Sequence, residues 1–306
     1  MRLVSFHAEQ KVQLGALVDN STIIDVNAAA AAFGLRSATG VLDVLESSDG
    51  LARIAAILAA VKGKSGSWAL ASSGVKLAPP IPRTAKILGV ALNYHDFCLR
   101  GKLETPTALK VFSKLQTTVV GPEDVIELPT GHKVTYEGEL AVVMGRRAKN
   151  IPVSEAWDYV GGYTVLNDLT ANDVAREDVQ LMRGKNFDTF CPIGPTLVTK
   201  DEIPDPYKLR IKTTVNGVVR QDSTVEQLIF KIPDIISYFA SFLTLEPGDV
   251  IATGTPAGTA LQHDPPAFLA VGDLVTVTVE RLGTITNRVV TATKDVARTT
   301  ANLAAG

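Results

Sequence analysis

The segment Thr135-Tyr136-Glu137-Gly138-Glu139-Leu140-Ala141-Val142-Val143-Met144-Gly145 decides how the rest of the chain is read. Its composition makes Val134 to Met144 a strand candidate. Side chains on a strand alternate faces with period two, so Glu137 and Glu139 point the same way, with Ala141 and Val143 following on that face. Two carboxylates about 7 Å apart on a half-buried surface repel, and loss of water pushes their pKa values upward. A divalent cation between them removes the conflict, and hard cations such as Mg²⁺ and Mn²⁺ favour oxygen ligands. Taken alone, the pair also fits a solvated strand face, since Glu is mostly exposed.

Working outward, a second apolar strand runs Gly162-Tyr-Thr-Val-Leu-Asn167-Asp168, with Thr164, Leu166 and Asp168 on one face. An acidic residue where a buried strand emerges is placed to present a third metal ligand. A helix starting near Ala171 offers the alternative, in which Asp168 is a cap. Composition agrees with carboxylate ligation: the 306 residues include two cysteines and four histidines, His7, His95, His132 and His263, far apart in sequence. That excludes a disulfide scaffold and a Cys-based zinc cluster.

Thirty Lys+Arg against thirty-two Asp+Glu leave a formal charge of −2, so there is no basic footprint for nucleic acid and no polybasic membrane patch. Apolar residues at 46% allow a large core, and 20% charged residues are too few for a disordered chain. The most apolar helical run, Leu51 to Val61, is interrupted by Arg53 and is far short of the roughly 20 residues of a membrane span. The first residues lack the apolar stretch of a signal peptide. Cys98 and Cys191, as isolated thiols, fit a reducing compartment, so a cytoplasmic protein is expected.

Residues 3–27 read as short strands, followed by two helical stretches. In the second, Leu51, Ile54, Ile57, Leu58 and Val61 form one face. Ala78-Pro79-Pro80-Ile81-Pro82 stops regular structure, which divides the chain into a small N-terminal strand/helix domain, 1–80, and a strand-rich domain, 84–306. In the latter, Ile87–Val90 and Val160–Leu166 are strands and Asn216-Gly217 turns a hairpin. A second hairpin joins Leu274–Glu280 to Thr284–Val290, and helices are expected at about Ala171–Met182 and Pro233–Leu243. The fold class is α+β and β-rich, with no doubly wound sheet.

Several segments together resemble the fumarylacetoacetate hydrolase family. They are the lead-in Gly89-Val90-Ala91-Leu92-Asn93-Tyr94, Glu137 to Gly145, Gly162 to Asp168, Gly184-Lys185-Asn-Phe187-Asp188-Thr-Phe190-Cys-Pro192-Ile-Gly194-Pro195, Val215-Asn216-Gly217-Val-Val-Arg-Gln221, and Leu245-Glu-Pro-Gly248-Asp249-Val-Ile-Ala-Thr253-Gly254-Thr255-Pro256-Ala-Gly258. They follow in order from about residue 87 to 290. The resemblance implies a mixed β-roll, a homodimer, and Mg²⁺ or Mn²⁺ held by Glu137, Glu139 and Asp168. It implies a small 2-oxo acid or acylpyruvate substrate, of the kind met in aromatic catabolism, whose enolate the metal stabilises. Lys185 matches a second stabiliser of that enolate. Thr255 with Gly254 matches a loop that contacts the substrate carboxylate, and Tyr94 lies in the substrate-side lead-in.

Two departures stand out. Hydrolases and decarboxylases of this family usually carry Asn-Tyr-x-x-His-x-x-Glu, whose His–Glu pair activates water. Here Asn93-Tyr94-His95-Asp96-Phe97-Cys98-Leu99-Arg100 puts Phe97 and Arg100 at those positions. His95 is then the proton-transfer candidate, or else part of a polar loop. Arg100 either binds a second substrate carboxylate or is a solvated arginine. After Asp168, Asn172 and Ala175 replace the family's arginine and glutamine. The cysteines have no activating base, and Gly184-Lys185 lacks the following Ser or Thr of a phosphate loop.

The leading expectation is therefore a divalent-metal-dependent hydrolase cleaving a C–C bond in an acylpyruvate or diketo acid. A decarboxylase or an isomerase/hydratase of a 2-oxo acid is the alternative that the missing dyad favours. A pseudoenzyme that binds metal and a 2-oxo acid without turnover is the reading from another class.

Overall fold

The computed structural model describes residues 1–9, 11–84 and 86–292. It opens with β1 (Arg2–Ala8), β2 (Lys11–Leu17) and β3 (Thr22–Asp25), paired antiparallel in succession. Asp25 then caps α1 (Val26–Phe33) by accepting the amides of Asn27 and Ala28, and left-handed Gly34 ends it. Helices α2 (Val41–Glu46) and α3 (Gly50–Val61) follow. Ile54, Ile57 and Val61 are buried as the spacing predicts, but Leu51 is exposed. Arg53 turns inward in its place, paired with Asp43 and Asp49. Short strands β4 (Ala69–Ala71) and β5 (Leu77–Ala78) add to β3 and β1, and 79–83 carries no helix or strand.

The second region contains β6 (Ile87–Ala91), α4 (His95–Arg100), β7 (Lys110–Lys114), β8 (Val119–Val120) and β9 (Ile126–Leu128). It continues with β10 (Val134–Thr135), β11 (Gly138–Met144), β12 (Val160–Asn167), β13 (Thr170–Ala171), α5 (Asn172–Glu177) and α6 (Met182–Lys185). After these come β14 (Cys191–Thr199), β15 (Arg210–Val215), β16 (Val218–Thr224), α7 (Ile232–Phe242), β17 (Val250–Ala252), β18 (Leu274–Val279) and β19 (Gly283–Thr291). A twelve-stranded mixed sheet runs β4-β3-β2-β1-β14-β12-β11-β17-β6-β7, with β5 on β1 and β8 on β14. A second sheet runs β16-β15-β18-β19-β9. The architecture is α+β and strand-rich. The N-terminal strands join the large sheet through β1, where Leu3 faces Leu197 of β14. The last fourteen residues of the expected second domain lie outside the described residues.

Strand β11 is buried along its whole length, because β12 and β17 flank it and both its faces are covered. Its alternation sorts side chains into two cores. Leu140, Val142 and Met144 join Ile235, Ile236 and Phe239 of α7 and the inner residues of the second sheet. Ala141 and Val143 join Ala29, Ile54 and Ile57 of the N-terminal helices. Fully burying one such aliphatic side chain contributes about 1.5–3 kcal/mol, so a one-residue register slip is strongly disfavoured.

Both hairpins form as read. Asn216 and Gly217 adopt φ of 53° and 78°, as a two-residue hairpin turn requires, and Val279 faces Gly283 across the other. Two expectations need correction. The run Val134–Met144 is not one strand: β10 leaves to pair with β13, and Tyr136 and Glu137 form the break. The helix expected over Ala171–Met182 stops at Glu177, because Val179 takes a left-handed φ of 57°, and the chain resumes as α6.

Candidate metal centre

The break between β10 and β11 positions the first carboxylate. The Asn167 side chain, at the end of β12, accepts the Glu137 amide at 3.0 Å, and the Glu137 carbonyl accepts the Asp168 amide at 2.8 Å. Glu139 enters from β11 on the face of Ala141 and Val143, as alternation requires. One oxygen from each of Glu137, Glu139 and Asp168 lies within 4.8 Å of the others. Asp168 does not cap a helix: α5 begins at Asn172 with no side-chain cap, and the Asp168 carboxylate turns into the cluster.

The surroundings show why this cluster is costly without a cation. Glu139 and Asp168 are buried, with Glu137 at the edge. Burial pushes Glu139 well above the usual carboxylate range, with the Asp168 charge adding to it. Glu137 is raised for the same two reasons, against the pull of Lys185. Burial acts on Asp168 too, but Lys114 and Lys185 outweigh it and hold that carboxyl low. Lys185 Nζ donates to Glu137 Oε2 at 2.8 Å and to Asp168 Oδ2 at 2.5 Å. Lys114 Nζ stands 2.7 Å from Asp168 Oδ1 as an ion pair outside hydrogen-bond alignment, so that oxygen has no aligned donor.

Three carboxylates facing two ammonium groups leave an excess negative charge in a buried place. A hard divalent cation is the partner that such an oxygen donor set fits. Further support comes from Thr170 Oγ1, which donates to Glu137 Oε1 at 2.8 Å, and from the Gly254 amide, which donates to Glu139 Oε2 at 2.7 Å. Gly254 has φ of 111°, and a Cβ there would stand 2.8 Å from Asn93 Cβ, so glycine is required where the loop turns its amide to Glu139.

The structure brings together Glu137, Glu139, Asp168 and Lys185. Thr255 lies on the adjoining loop, but its hydroxyl donates to the Gly138 carbonyl and accepts from Gln221 Nε2, so it braces the site. Tyr94 is buried in the large core, its hydroxyl without a partner among the described residues, and burial lifts its pKa well above the phenol range. His95 is exposed at the start of α4, where its side chain makes no hydrogen bond among the described residues, and Arg100 is exposed at the other end. The sequence reading missed Lys114. Its signal was a lysine closing Lys110-Val-Phe-Ser-Lys114 on the same strand face as Phe112, an aromatic ring over which Lys185 Nζ sits at 4.7 Å. Both free cysteines are buried, and burial pushes their thiols up.

A cavity of about 900 Å³ lies elsewhere, between α2, α3 and the β11–β12 ends, and none of the carboxylates lines it. Among the described residues, no helix is long and apolar enough to cross a membrane.

Residues 86–290 match the family model described as fumarylacetoacetate (FAA) hydrolase C-terminal. The Xenopus laevis protein named oxaloacetate tautomerase fahd2, mitochondrial, is 39% identical over 296 residues, covering 95% of this chain and 90% of the relative. Oxaloacetate tautomerase YisK of Bacillus subtilis (strain 168) is 35% identical over 300 residues, covering 94% of this chain and 100% of its own length. Among solved structures, maleylpyruvate hydrolase from Sphingobium sp. SYK-6, in complex with manganese(II) and pyruvate, superposes with a TM-score of 0.77 at 29% identity. That match covers 95% of this chain and 100% of the other.

Proposed function

From the premise that this chain belongs to the fumarylacetoacetate hydrolase family, we propose that it is a divalent-metal-dependent tautomerase of a small 2-oxo dicarboxylic acid such as oxaloacetate. The observation that carries the reading is an intact acidic cluster with Lys114 and Lys185 against it, in a chain that holds Phe97 and Arg100 on α4 where the family resemblance places a water-activating His and Glu. Interconverting keto and enol forms requires an enolate to be stabilised and a proton to move between C3 and the 2-oxo oxygen. It requires no activated water.

In this reading Glu137, Glu139 and Asp168 hold the ion, and bound Mg²⁺ or Mn²⁺ supplies Lewis-acid polarisation of the 2-oxo oxygen. Lys185 is held protonated by Asp168 and Glu137 against the effect of burial, so it serves as a fixed positive charge and not as a base. His95, exposed at the start of α4, is the proton carrier in this reading, an imidazole being able both to take up and to release a proton. The loop Thr253–Pro256 borders the substrate, with Gly254 and Thr255 bracing the ligand strand from behind. Tyr94 forms part of that wall: a Cβ on Gly254 would stand 3.5 Å from its ring. A homodimer in the cytoplasm, with residues 1–80 as a small N-terminal domain, completes the reading.

C–C bond hydrolysis of an acylpyruvate is the second reading, favoured by the likeness to maleylpyruvate hydrolase. The experiment incubates purified protein and Mn²⁺ or Mg²⁺ with freshly dissolved enol-oxaloacetate, fumarylpyruvate and maleylpyruvate, following enol absorbance, CO₂ and pyruvate. Faster decay of the enol absorbance without pyruvate or CO₂ release is expected. Pyruvate released from an acylpyruvate, with tautomerisation at the background rate, would replace this reading with hydrolysis; CO₂ from oxaloacetate would replace it with decarboxylation. Binding of 2-oxo acids only with metal, and no turnover, would mark a pseudoenzyme.

A further inference from the structure

The loop from Gly258 to His263 gathers polar groups that the metal centre does not use. Gln262 is its hub. Its carbonyl accepts from Arg100 Nε at 3.2 Å, its Oε1 accepts the Gly258 amide at 2.8 Å, and its Nε2 donates to the Phe97 carbonyl at 2.9 Å. On the inner side, the Ala260 amide donates to Thr135 Oγ1 at 2.8 Å, which sets the loop against the chain break at Tyr136. Gly258 packs so tightly on β16 that a Cβ there would stand 1.9 Å from the Arg220 carbonyl oxygen. The loop is thus met by the Arg100 side chain from α4, by the Arg220 backbone from β16, and by Thr135 and Tyr136 at the end of β10, Tyr136 packing in one cluster with Ala260.

Arg100, Tyr136 and Arg220 all carry unspent bonding capacity. Tyr136 is fully buried, yet among the described residues its hydroxyl has no hydrogen-bond partner, and the buried Arg220 Nε has none either. Among the described residues neither Arg100 nor Arg220 is ion-paired, whereas Arg53, Arg147, Arg183 and Arg210 are. Arg100 is anchored through Nε alone, leaving its terminal nitrogens free. The acidic group that α4 turns toward this region, Asp96, is already bound by Ser223 Oγ and the Ala257 amide. Buried donors without partners are rare because each forfeits its hydration, so such a group points to a ligand.

We propose that Arg100, Arg220 and the Tyr136 hydroxyl form an anion subsite for the carboxylate at the far end of a dicarboxylic 2-oxo acid. The inference rests on the proposed function for the substrate's metal-bound end and adds the group that selects its other end. A guanidinium grips a carboxylate through two parallel N–H bonds, and a phenol adds a third donor. Arg100 thus turns a helix that would carry a water-activating glutamate into a clamp on substrate charge. Monocarboxylic 2-oxo acids leave the subsite empty.

The test compares the wild-type protein with Arg100→Gln, Arg220→Gln and Tyr136→Phe, all with Mn²⁺ bound. Calorimetry measures L-malate against L-lactate, stable 2-hydroxy acids that share the chelating head and differ in the distal carboxylate. NMR in D₂O measures C3 proton exchange in oxaloacetate against 2-oxobutyrate. Wild type should prefer malate, and each variant should reduce the malate-to-lactate preference about tenfold, with a matching rise in KM for oxaloacetate. Tyr136→Phe keeps the ring packing, so it carries the test if an arginine variant does not fold. Malate selectivity equal in wild type and variants would overturn the subsite. Selectivity lost in the variants, with no C3 exchange by wild type on any 2-oxo acid, would uphold the subsite and reject the tautomerase reading.

Discussion

Replacing Lys114 by methionine removes one of the two ammonium groups that keep Asp168 ionised in a place without solvent. Lys114 and Asp168 are both fully buried, 2.7 Å apart, and the same ammonium donates to the carbonyls of Lys185 at 2.6 Å and Leu169 at 3.3 Å. Methionine matches the length of the side chain but has no donor, so three acceptors lose their partner together. Deleting one member of a buried pair costs about 3–5 kcal/mol, and each stranded carbonyl adds about 1 kcal/mol. Lys185 stays on Asp168 Oδ2 and offsets part of this. The expected net loss is about 4 kcal/mol in urea unfolding with chelator present at pH 7, with the slope m unchanged. A double variant, Lys114→Met with Asp168→Asn, removes the stranded charge. It should be about 2 kcal/mol more stable than the sum of the two single changes. A single-variant loss below about 1 kcal/mol, or a strictly additive cycle, would refute the view that Lys114 is the counter-charge of Asp168.

Glu137→Gln should lower Mn²⁺ affinity at least about 10-fold, read by electron paramagnetic resonance of free Mn²⁺, since it removes one charged ligand while keeping the hydrogen bond from Thr170. Unaltered Mn²⁺ binding would remove Glu137 from the ligand set. Gly254→Ala should destabilise the fold by about 2 kcal/mol, because a Cβ would meet Asn93 at 2.8 Å on a left-handed backbone. It should also weaken Mn²⁺ binding by drawing the amide off Glu139, and a wild-type melting temperature would contradict this. Asp43 is held at about 2 against an ordinary 3.8, chiefly by the Thr39 amide. A lowered folded-state pKa means its stabilisation is full above the unfolded value and fades as pH falls from 3.8 toward 2. Asp43→Asn should therefore cost about 1 kcal/mol at pH 7, discounted for partial exposure, and should flatten the acid limb of the stability curve. An acid limb identical to wild type would count against that assignment.

Period-two alternation placed Glu139 with Ala141 and Val143, and the structure keeps that face because both sides of β11 are covered. The turn chemistry of Asn216-Gly217 and the helical spacing of Ile54, Ile57 and Val61 were readable for the same reason: each depends on neighbours a few residues away. The helix over Ala171–Met182 was misjudged because composition alone does not show that Val179 takes a left-handed backbone.

The amino-acid sequence by itself determined the strand-rich class and the order of the motifs; it offered three carboxylates and, through the family resemblance, a lysine as the expected reactive set, with Phe97 and Arg100 where that resemblance places a water-activating pair. Tertiary structure alone decided what makes those residues a site. It broke the strand at Glu137 so that its carboxylate meets Asp168, brought the Gly254 amide to Glu139 across 115 residues, and added Lys114. Among the described residues it also left the Tyr136 hydroxyl and Arg220 Nε without a hydrogen-bond partner. Local spacing fixes which way a side chain points on its own element. Which partner it meets depends on how distant strands are ordered in the sheet, and the burial that makes charge pairing matter exists only once that sheet has closed.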